Sequence, residues 1–236
     1  MMTVLITGAS SGIGAGLARS FAADGHRVIA CGRDPSRLSA LQQHSPHISV
    51  RSFDMTDRDA CRQTLADCRA DLIILCAGTC EYLEHGTVDA GLVERVITTN
   101  FLGPVNCLAA LQSQLSAGNR VVLVSSMAHW LPFPRAEAYG ASKAALEMFS
   151  RSLGAELSGS GVAVTVVYFP LVRTEMIAPT EKYDSRVTLS DTEAGEWIEH
   201  AVNERPMRII PNLMKAAPIA DVAIPSLMDR VSRVIS

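Results

Sequence analysis

The sequence predicts an α/β fold: a single doubly wound parallel sheet of about seven strands with helices on both faces. Three observations carry this expectation. Short β-branched runs alternate with amphipathic stretches of helical period along most of the chain. A glycine-rich turn joins the first of these runs to the first helical stretch. Nothing in the 236 residues reads as a linker, a low-complexity tract or an internal repeat, so one domain over 1–236 is expected. Strands that alternate with helices pair in parallel through right-handed crossovers, and the crossover helices cover both faces.

The strand runs are TVLIT from Thr3, RVIACG from Arg27, ISVRSF from Ile48, DLIILCAG from Asp71, RVVLVSS from Arg120 and GVAVTVVYF from Gly161. Their apolar residues are nearly continuous, as suits strands buried on both faces. Between them GLARSFAADG, SRLSALQQH, RDACRQTLADC and VERVITTNFLGPVNCLAALQSQL read as helices. After Pro170 the rhythm changes to the polar, proline-containing LVRTEMIAPTEKYDSRVTLSD. A helix DTEAGEWIEHAVNE follows, with Ser190 as N-cap and Glu193 completing a capping box. Ligands of doubly wound sheets sit beyond the carboxyl ends of the strands. Residues 171–205 are therefore expected to form a substrate lid, followed by a short strand MRII and an apolar tail over 211–236.

Composition excludes several function classes. The formal net charge of −3, with scattered basic residues, gives no electrostatic footprint for nucleic acid or an anionic membrane. The six cysteines, Cys31, Cys61, Cys68, Cys76, Cys80 and Cys107, lack metal-site spacing, and no metal is expected. They read as reduced thiols of a cytoplasmic protein. No charged leader precedes Thr3, so no signal peptide is expected. The longest apolar run, GVAVTVVYFPLV, is too short to span a bilayer and contains a proline.

The turn after the first strand is TGASSGIG, Thr7 to Gly14. Gly8, Gly12 and Gly14 permit a tight turn and a close approach of backbone amides to a pyrophosphate, and the helix N-terminus adds its positive dipole end. Ser10, Ser11 and Ile13 fill the loop. A bound dinucleotide is the expectation, although strand–glycine–helix turns also occur without ligands. The second strand ends in Cys31 and Gly32 with Arg33 next, where an NAD site carries an acidic residue. A guanidinium there suits a 2′-phosphate, which favours NADP(H) with NAD(H) still open. The other reading of Arg33 is an ordinary surface arginine, oriented or neutralised by Asp34.

AEAYGASKAALEMF, Ala136 to Phe149, places Tyr139 and Lys143 four apart and so on one helical face. Alone, such a pair is a packing tyrosine and a solvated lysine. It is not alone: Ser126 ends the fifth strand 13 residues earlier, and Asn100 lies in a helical run before that. With the motif T-G-x-x-x-G-x-G at Thr7 to Gly14, Asn100, Ser126 and Y-x-x-x-K at Tyr139 to Lys143, the chain resembles the short-chain dehydrogenase/reductase family over nearly its whole length. That resemblance implies a Rossmann-type fold and a hydride transfer between nicotinamide and a carbonyl or alcohol, with Tyr139 as acid/base. Free tyrosine, with a pKa of about 10, suits neutral pH poorly. A nearby ammonium and an oxidised nicotinamide favour its phenolate. The family pattern implies that Lys143 also holds the nicotinamide ribose, that Ser126 holds the substrate oxygen and that Asn100 supports a water relay to Lys143. Gly140, Ala141 and Ser142 are expected to leave room for the cofactor.

The resemblance also implies that Asp54, beside Met55, contacts the adenine, that Ala77 and Gly78 end an N-N-A-G-like motif, and that Val172 and Thr174 lie near the nicotinamide carboxamide. Two departures stand out. Leu75 and Cys76 replace both asparagines of N-N-A-G, and Phe169 and Pro170 stand where proline and glycine are usual.

The segment FPLVRTEMIAPTEKYDSRVTLSDTEAGEWI is similar to the lid of family members that reduce fatty acyl-CoA or fatty aldehydes. An apolar or lipid-like substrate is the resulting expectation. Trp130, Leu131, Phe133, Met176 and Ile177 either line an apolar pocket or pack beneath the lid, and both readings stand. The tail over 211–236 packs on the fold or a neighbouring subunit, shields a lipid substrate, or lies on a membrane, in that order of preference. A homodimer or homotetramer built on the helices around Asn100 and Tyr139 is expected. The competing function is a cofactor-binding sensor or scaffold with little turnover, which has no need of Asn100, Ser126, Tyr139 and Lys143 together. A nucleotide-sugar epimerase of the related longer-chain group fits poorly, since that group has another glycine spacing and a larger C-terminal domain.

Overall fold

The computed structural model describes residues 1–172, 174–177, 188–189, 194–198 and 208–209. The chain opens β1 (Thr3–Thr7), α1 (Gly12–Ala23), β2 (Arg27–Gly32), α2 (Pro35–Gln42), β3 (Ile48–Ser52), α3 (Arg58–Leu65) and β4 (Leu72–Leu75). It continues through α4 (Ala90–Ile97), a π turn (Thr98–Leu102), α5 (Gly103–Leu111), β5 (Arg120–Ser126), α6 (Glu137–Leu157) and β6 (Ala163–Phe169). The two-residue strands β7 (Leu171–Val172), β8 (Thr188–Leu189) and β9 (Arg208–Ile209) follow, and short 3-10 turns lie at Gln112–Gln114, Met127–His129, Ser158–Ser160 and Glu175–Ile177.

The main sheet is parallel, in the order β3-β2-β1-β4-β5-β6-β9. Six strands are full length and the seventh, β9, is a two-residue edge, so the expected architecture is present with a minimal last strand. β7 and β8 form a separate two-stranded pair. The register aligns the strand ends: Thr7 pairs with both Cys31 and Leu75, and Leu75 with Leu123. The loops that leave β1, β2, β4 and β5 therefore open along one edge.

Strand periodicity assigns the core. Side chains alternate across a strand, so Val4, Ile6, Ile74, Val122 and Val124 enter one buried cluster with Leu17, Phe21 and Leu38. Leu5, Ile73, Leu75, Val121 and Leu123 enter the other with Leu65, Leu111 and Leu146. Both faces are covered, which is why the strand runs are apolar at successive positions.

Two elements differ from the sequence reading. The run from Val93 to Leu115 is broken by the π turn at 98–102. Pro104 has no N–H for the carbonyl of Asn100 and its ring crowds that carbonyl, so the helix widens there before resuming as α5. The β4 ladder stops at Leu75, and Cys76, Ala77 and Gly78 belong to the loop. The remaining expectations fall elsewhere. The capping box at Ser190 and Glu193, most of the lid over 171–205 and the whole tail over 211–236 lie outside the described residues.

Candidate active site

Four loops meet at the carboxyl edge. The first is the glycine turn. Gly8 has φ +72°, and a Cβ there would stand 2.7 Å from Ala77 Cα, so the β1 and β4 loops touch backbone to backbone. A Cβ on Gly14 would stand 2.8 Å from the Gly8 carbonyl carbon, so the first turn of α1 folds onto the loop that precedes it. Ser10 Oγ lies 3.1 Å from where Gly32 would carry a Cβ, which ties the turn to the end of β2. Thr7 Oγ1 accepts from the amides of Cys76 and Ala77 at 3.1 and 3.2 Å. This hydroxyl holds the β4 loop where Leu75 and Cys76 replace the family asparagines, and the sequence reading passed over it.

The N-terminus of α1 suits an anion. Asp34, Asp57 and Asp89 cap α2, α3 and α4 with side-chain hydrogen bonds, whereas Ser11 makes none at α1 and the first turn holds no acidic residue. Like those of α5 and α6, the leading amides of α1 carry no side-chain cap, and they could hold an anion with the helix dipole favouring negative charge. Ile13 packs against the core instead. Gly12, with φ +51°, faces Thr174: its Cβ would stand 3.3 Å from Thr174 Cγ2. Val172 is buried in the first core cluster. At the other end, Arg33 Nη1 lies 3.9 Å from Asp54 Oδ2, and the arginine side chain is 67% exposed and so available to a ligand. Asp54 also accepts from the amide and hydroxyl of Thr56 at 2.9 and 2.8 Å. The Met55 side chain is buried against Gly103.

The residues of the catalytic pattern converge at the end of β5. Ser126 closes the strand; its hydroxyl accepts from Ala128 N at 3.2 Å and lies near enough to the Tyr139 side chain, one turn into α6, to draw on the phenol's proton affinity. Lys143 is 4% exposed; its Nζ donates to the Val124 carbonyl at 2.8 Å and lies 5.7 Å from the Tyr139 ring centroid. Asn100, fully buried in the π turn, accepts from Thr79 N at 2.7 Å. Its amide donates to Thr79 O at 2.8 Å and Ser142 Oγ at 3.0 Å. A Cβ on Gly78 would stand 3.3 Å from Asn100 Oδ1 and 3.7 Å from Lys143 Nζ, so the β4 loop lies against both.

Two expectations need correcting here. Gly140 does not clear space for a cofactor, because a Cβ there would stand 2.9 Å from the Ala128 carbonyl; the glycine lets α6 approach the turn after β5. Ser142 is fully buried, bonded to the Tyr139 carbonyl at 2.7 Å and to Asn100, and is a brace. Among the candidate pocket residues, Trp130 stacks on Tyr168 with centroids 4.8 Å apart and Leu131 is 2% exposed, which favours packing for these two. The Tyr168 hydroxyl in turn donates to the buried Glu147 carboxylate.

Burial dominates the electrostatics. The Tyr139 phenol is pushed up to about 12 by desolvation, against which the Ser126 hydrogen bond pulls down. The Lys143 ammonium is pulled down to about 8 by desolvation, with the Cys76 and Cys80 thiols opposing. The same burial raises Cys76 to about 11. At neutral pH the site thus presents a neutral phenol, with a proton to give, beside a cation. The lysine shift has a stability consequence. Lys143 binds fewer protons folded than unfolded between its lowered value and 10.5, so its charge penalty is full below about pH 8 and vanishes toward 10.5. Lys143→Met removes that penalty. Its advantage over the wild-type protein in urea unfolding, up to about 3 kcal/mol at pH 7, is expected to shrink as pH rises from 8 to 10.5. A pH-independent difference would contradict this.

Among the described residues no group of three His, Cys, Asp or Glu side chains is placed to hold a metal ion, and no helix is long and apolar enough to cross a membrane. All six cysteines are free thiols.

Comparison with known proteins agrees with this geometry. Residues 2–184 match the family described as short chain dehydrogenase. A fatty acyl-CoA reductase of Acinetobacter baylyi is 35% identical over an alignment of 236 positions that covers 94% of this chain and 80% of that one. A short-chain dehydrogenase from Sphingobium yanoikuyae, solved in complex with NADPH, superposes with a TM-score of 0.80 at 31% identity, covering 97% of this chain and 95% of that one. A closed form of serine dehydrogenase complexed with NADP+ superposes with a TM-score of 0.82 at 27% identity, covering 89% and 95%.

Proposed function

We propose, from the premise that this chain belongs to the short-chain dehydrogenase family, that it is an NADP(H)-dependent reductase of apolar, lipid-like carbonyl compounds, with Tyr139 as the acid. The family places it among oxidoreductases that act on a CH-OH/C=O pair. The observation that carries the finer reading is the convergence of Ser126, Tyr139 and Lys143 at the end of β5, beside an uncapped helix N-terminus and glycines that no Cβ could replace.

The residues present fit a nicotinamide dinucleotide. The uncapped amides of α1 suit its diphosphate, Arg33 its 2′-phosphate, Asp54 its adenosine half, and Lys143 and Thr174 its nicotinamide half. Bound there, the cofactor supplies the hydride. Ser126 holds the carbonyl oxygen by a hydrogen bond, and Tyr139 gives its phenolic proton to that oxygen as negative charge develops. Lys143, still protonated at neutral pH, stabilises the phenolate left behind. Asn100, its amide fully used on Thr79 and Ser142, fixes the β4 loop against Lys143. The NADP+ and NADPH complexes of the structural neighbours support the cofactor choice. The fatty acyl-CoA reductase relative supports the lipid-like substrate, while the serine dehydrogenase neighbour shows that the same fold also takes a small polar one. Free thiols fit a cytoplasmic setting. Leu102 and Met148, exposed on the π turn and α6, fit a homo-oligomer built on these helices.

NADPH consumption over aldehydes and acyl-CoAs of graded chain length tests the reading. kcat/KM is expected to rise with chain length, each buried CH2 contributing about 0.8 kcal/mol until the pocket is filled. In parallel, Arg33→Gln is expected to narrow the preference for NADPH over NADH about tenfold, the loss of one charge-assisted contact of about 1.5 kcal/mol or more. Turnover confined to small polar carbonyls would discard the lipid reading, and an unchanged nucleotide preference would discard Arg33.

A further inference from the structure

The segment after β7 makes a contact that its place in the sheet does not anticipate. Glu175 Oε2 lies 2.8 Å from Arg37 Nη1, 138 residues away on the first turns of α2. Glu175 is three residues past β7, which follows directly on β6, while α2 follows β2. In the sheet β2 and β6 are separated by β1, β4 and β5. That is a distance of roughly 19 Å at about 4.8 Å per strand step. The chain after β7 must therefore double back along the carboxyl edge to reach α2. A second contact fixes its route. Thr174 lies against Gly12, its Cγ2 3.3 Å from the position of a Cβ there, so the segment passes over the start of α1 where the anion cradle is. The ion pair with Arg37 fastens its far end. Asp34, which caps α2, lies 3.6 Å from Arg37 Nε and steadies the arginine from its own helix.

We propose that Arg37 and Glu175 are positioning residues: their ion pair straps residues 174–177 across the nucleotide crevice and so governs how fast nucleotide leaves. This rests on the reading of the crevice as a dinucleotide site. A nucleotide on the α1 amides lies beneath the strap, and its departure requires the pair to part. Neither side chain touches the reacting atoms; both act through the segment that carries Thr174. The pair is exposed, with side chains 49% and 73% accessible, so it is screened by salt and yields without disturbing the core.

The test is stopped-flow displacement of NADPH, and separately of NADH at saturating concentration, from the wild-type protein, Glu175→Gln, Arg37→Gln and the exchanged pair Arg37→Glu with Glu175→Arg. Either single variant is expected to speed release of both nucleotides by about two- to fivefold, the range that an exposed ion pair supports. The exchanged pair is expected to slow release again. Added salt is expected to speed release from the wild-type protein more than from Glu175→Gln, because the wild-type protein loses the pair in addition to the screened phosphate contacts that both share. Unchanged release from Glu175→Gln would overturn the proposal. So would an effect confined to NADPH and to Arg37, which would make that arginine a phosphate ligand only. A titration by nucleotide fluorescence comes first. Failure of the wild-type protein to bind either nucleotide would overturn the dinucleotide reading and the strap together, whereas binding with unaltered release rates would overturn the strap alone.

Discussion

Tyr139→Phe is expected to lower turnover by about 10²- to 10⁴-fold while NADPH still binds, the usual contribution of a positioned acid. The substitution removes one oxygen and keeps the ring that packs against Leu83, Leu92, Val96 and Ala138, so the fold tolerates it. What is lost is the proton that the proposed reduction draws from the cluster. The phenol, pushed up to about 12, remains protonated throughout the neutral range. The Lys143 ammonium, pulled down to about 8, is turned toward the Val124 carbonyl. The same shift gives the two directions opposite pH trends. Reduction consumes a proton and is served by the phenol as it stands. Alcohol oxidation needs the phenolate, so its rate is expected to climb as pH rises from 7 to 10. Steady-state rates of wild type and variant in both directions check this. A loss of less than about tenfold would remove Tyr139 from the role of acid.

Gly14→Ala is the second large effect. A Cβ at Gly14 would stand 2.8 Å from the Gly8 carbonyl carbon and 3.1 Å from Ala9 N. These are backbone atoms, so the glycine turn and α1 must separate. The amides that face the diphosphate move with them. NADPH binding is expected to weaken by at least about tenfold, or about 1.4 kcal/mol. Stability is expected to fall by about 1–3 kcal/mol, as for overpacking elsewhere. Gly16→Ala is the control within the same helix. Nothing lies within 4 Å of its Cβ position, so the substitution is expected to stabilise α1 by about 0.5–1 kcal/mol and leave nucleotide affinity unchanged. Fluorescence titration with NADPH and urea unfolding read both. Equal behaviour of the two alanine variants would show that the turn does not hold the nucleotide by close packing.

The parts of this site that were legible in the sequence are the local ones. The glycine turn is readable because the spacing of Gly8, Gly12 and Gly14 between a strand and a helix is itself the geometry. Tyr139 and Lys143 are readable because a helix places i and i+4 together. The less visible parts depend on contacts between distant segments. Nothing near Ser142 announces that its hydroxyl will brace Asn100, 42 residues away. Gly140 reads as space for a ligand until the Ala128 carbonyl is seen to fill it. Pro104 did carry a signal for the π turn, since a proline four residues after Asn100 denies that carbonyl its partner. The Arg37–Glu175 pair had none, because two exposed charges 138 residues apart, on separate elements, announce no partner.

The most direct test of the central claim is the fate of the hydride itself. NADPH carrying deuterium at the transferable C4 position, incubated with the protein and a long-chain aldehyde, is expected to yield alcohol with deuterium on the former carbonyl carbon. Tyr139→Phe is expected to slow that transfer without redirecting it. NADPH that binds but passes no deuterium to any carbonyl across the chain-length series would contradict hydride transfer and leave a nucleotide-binding protein without turnover.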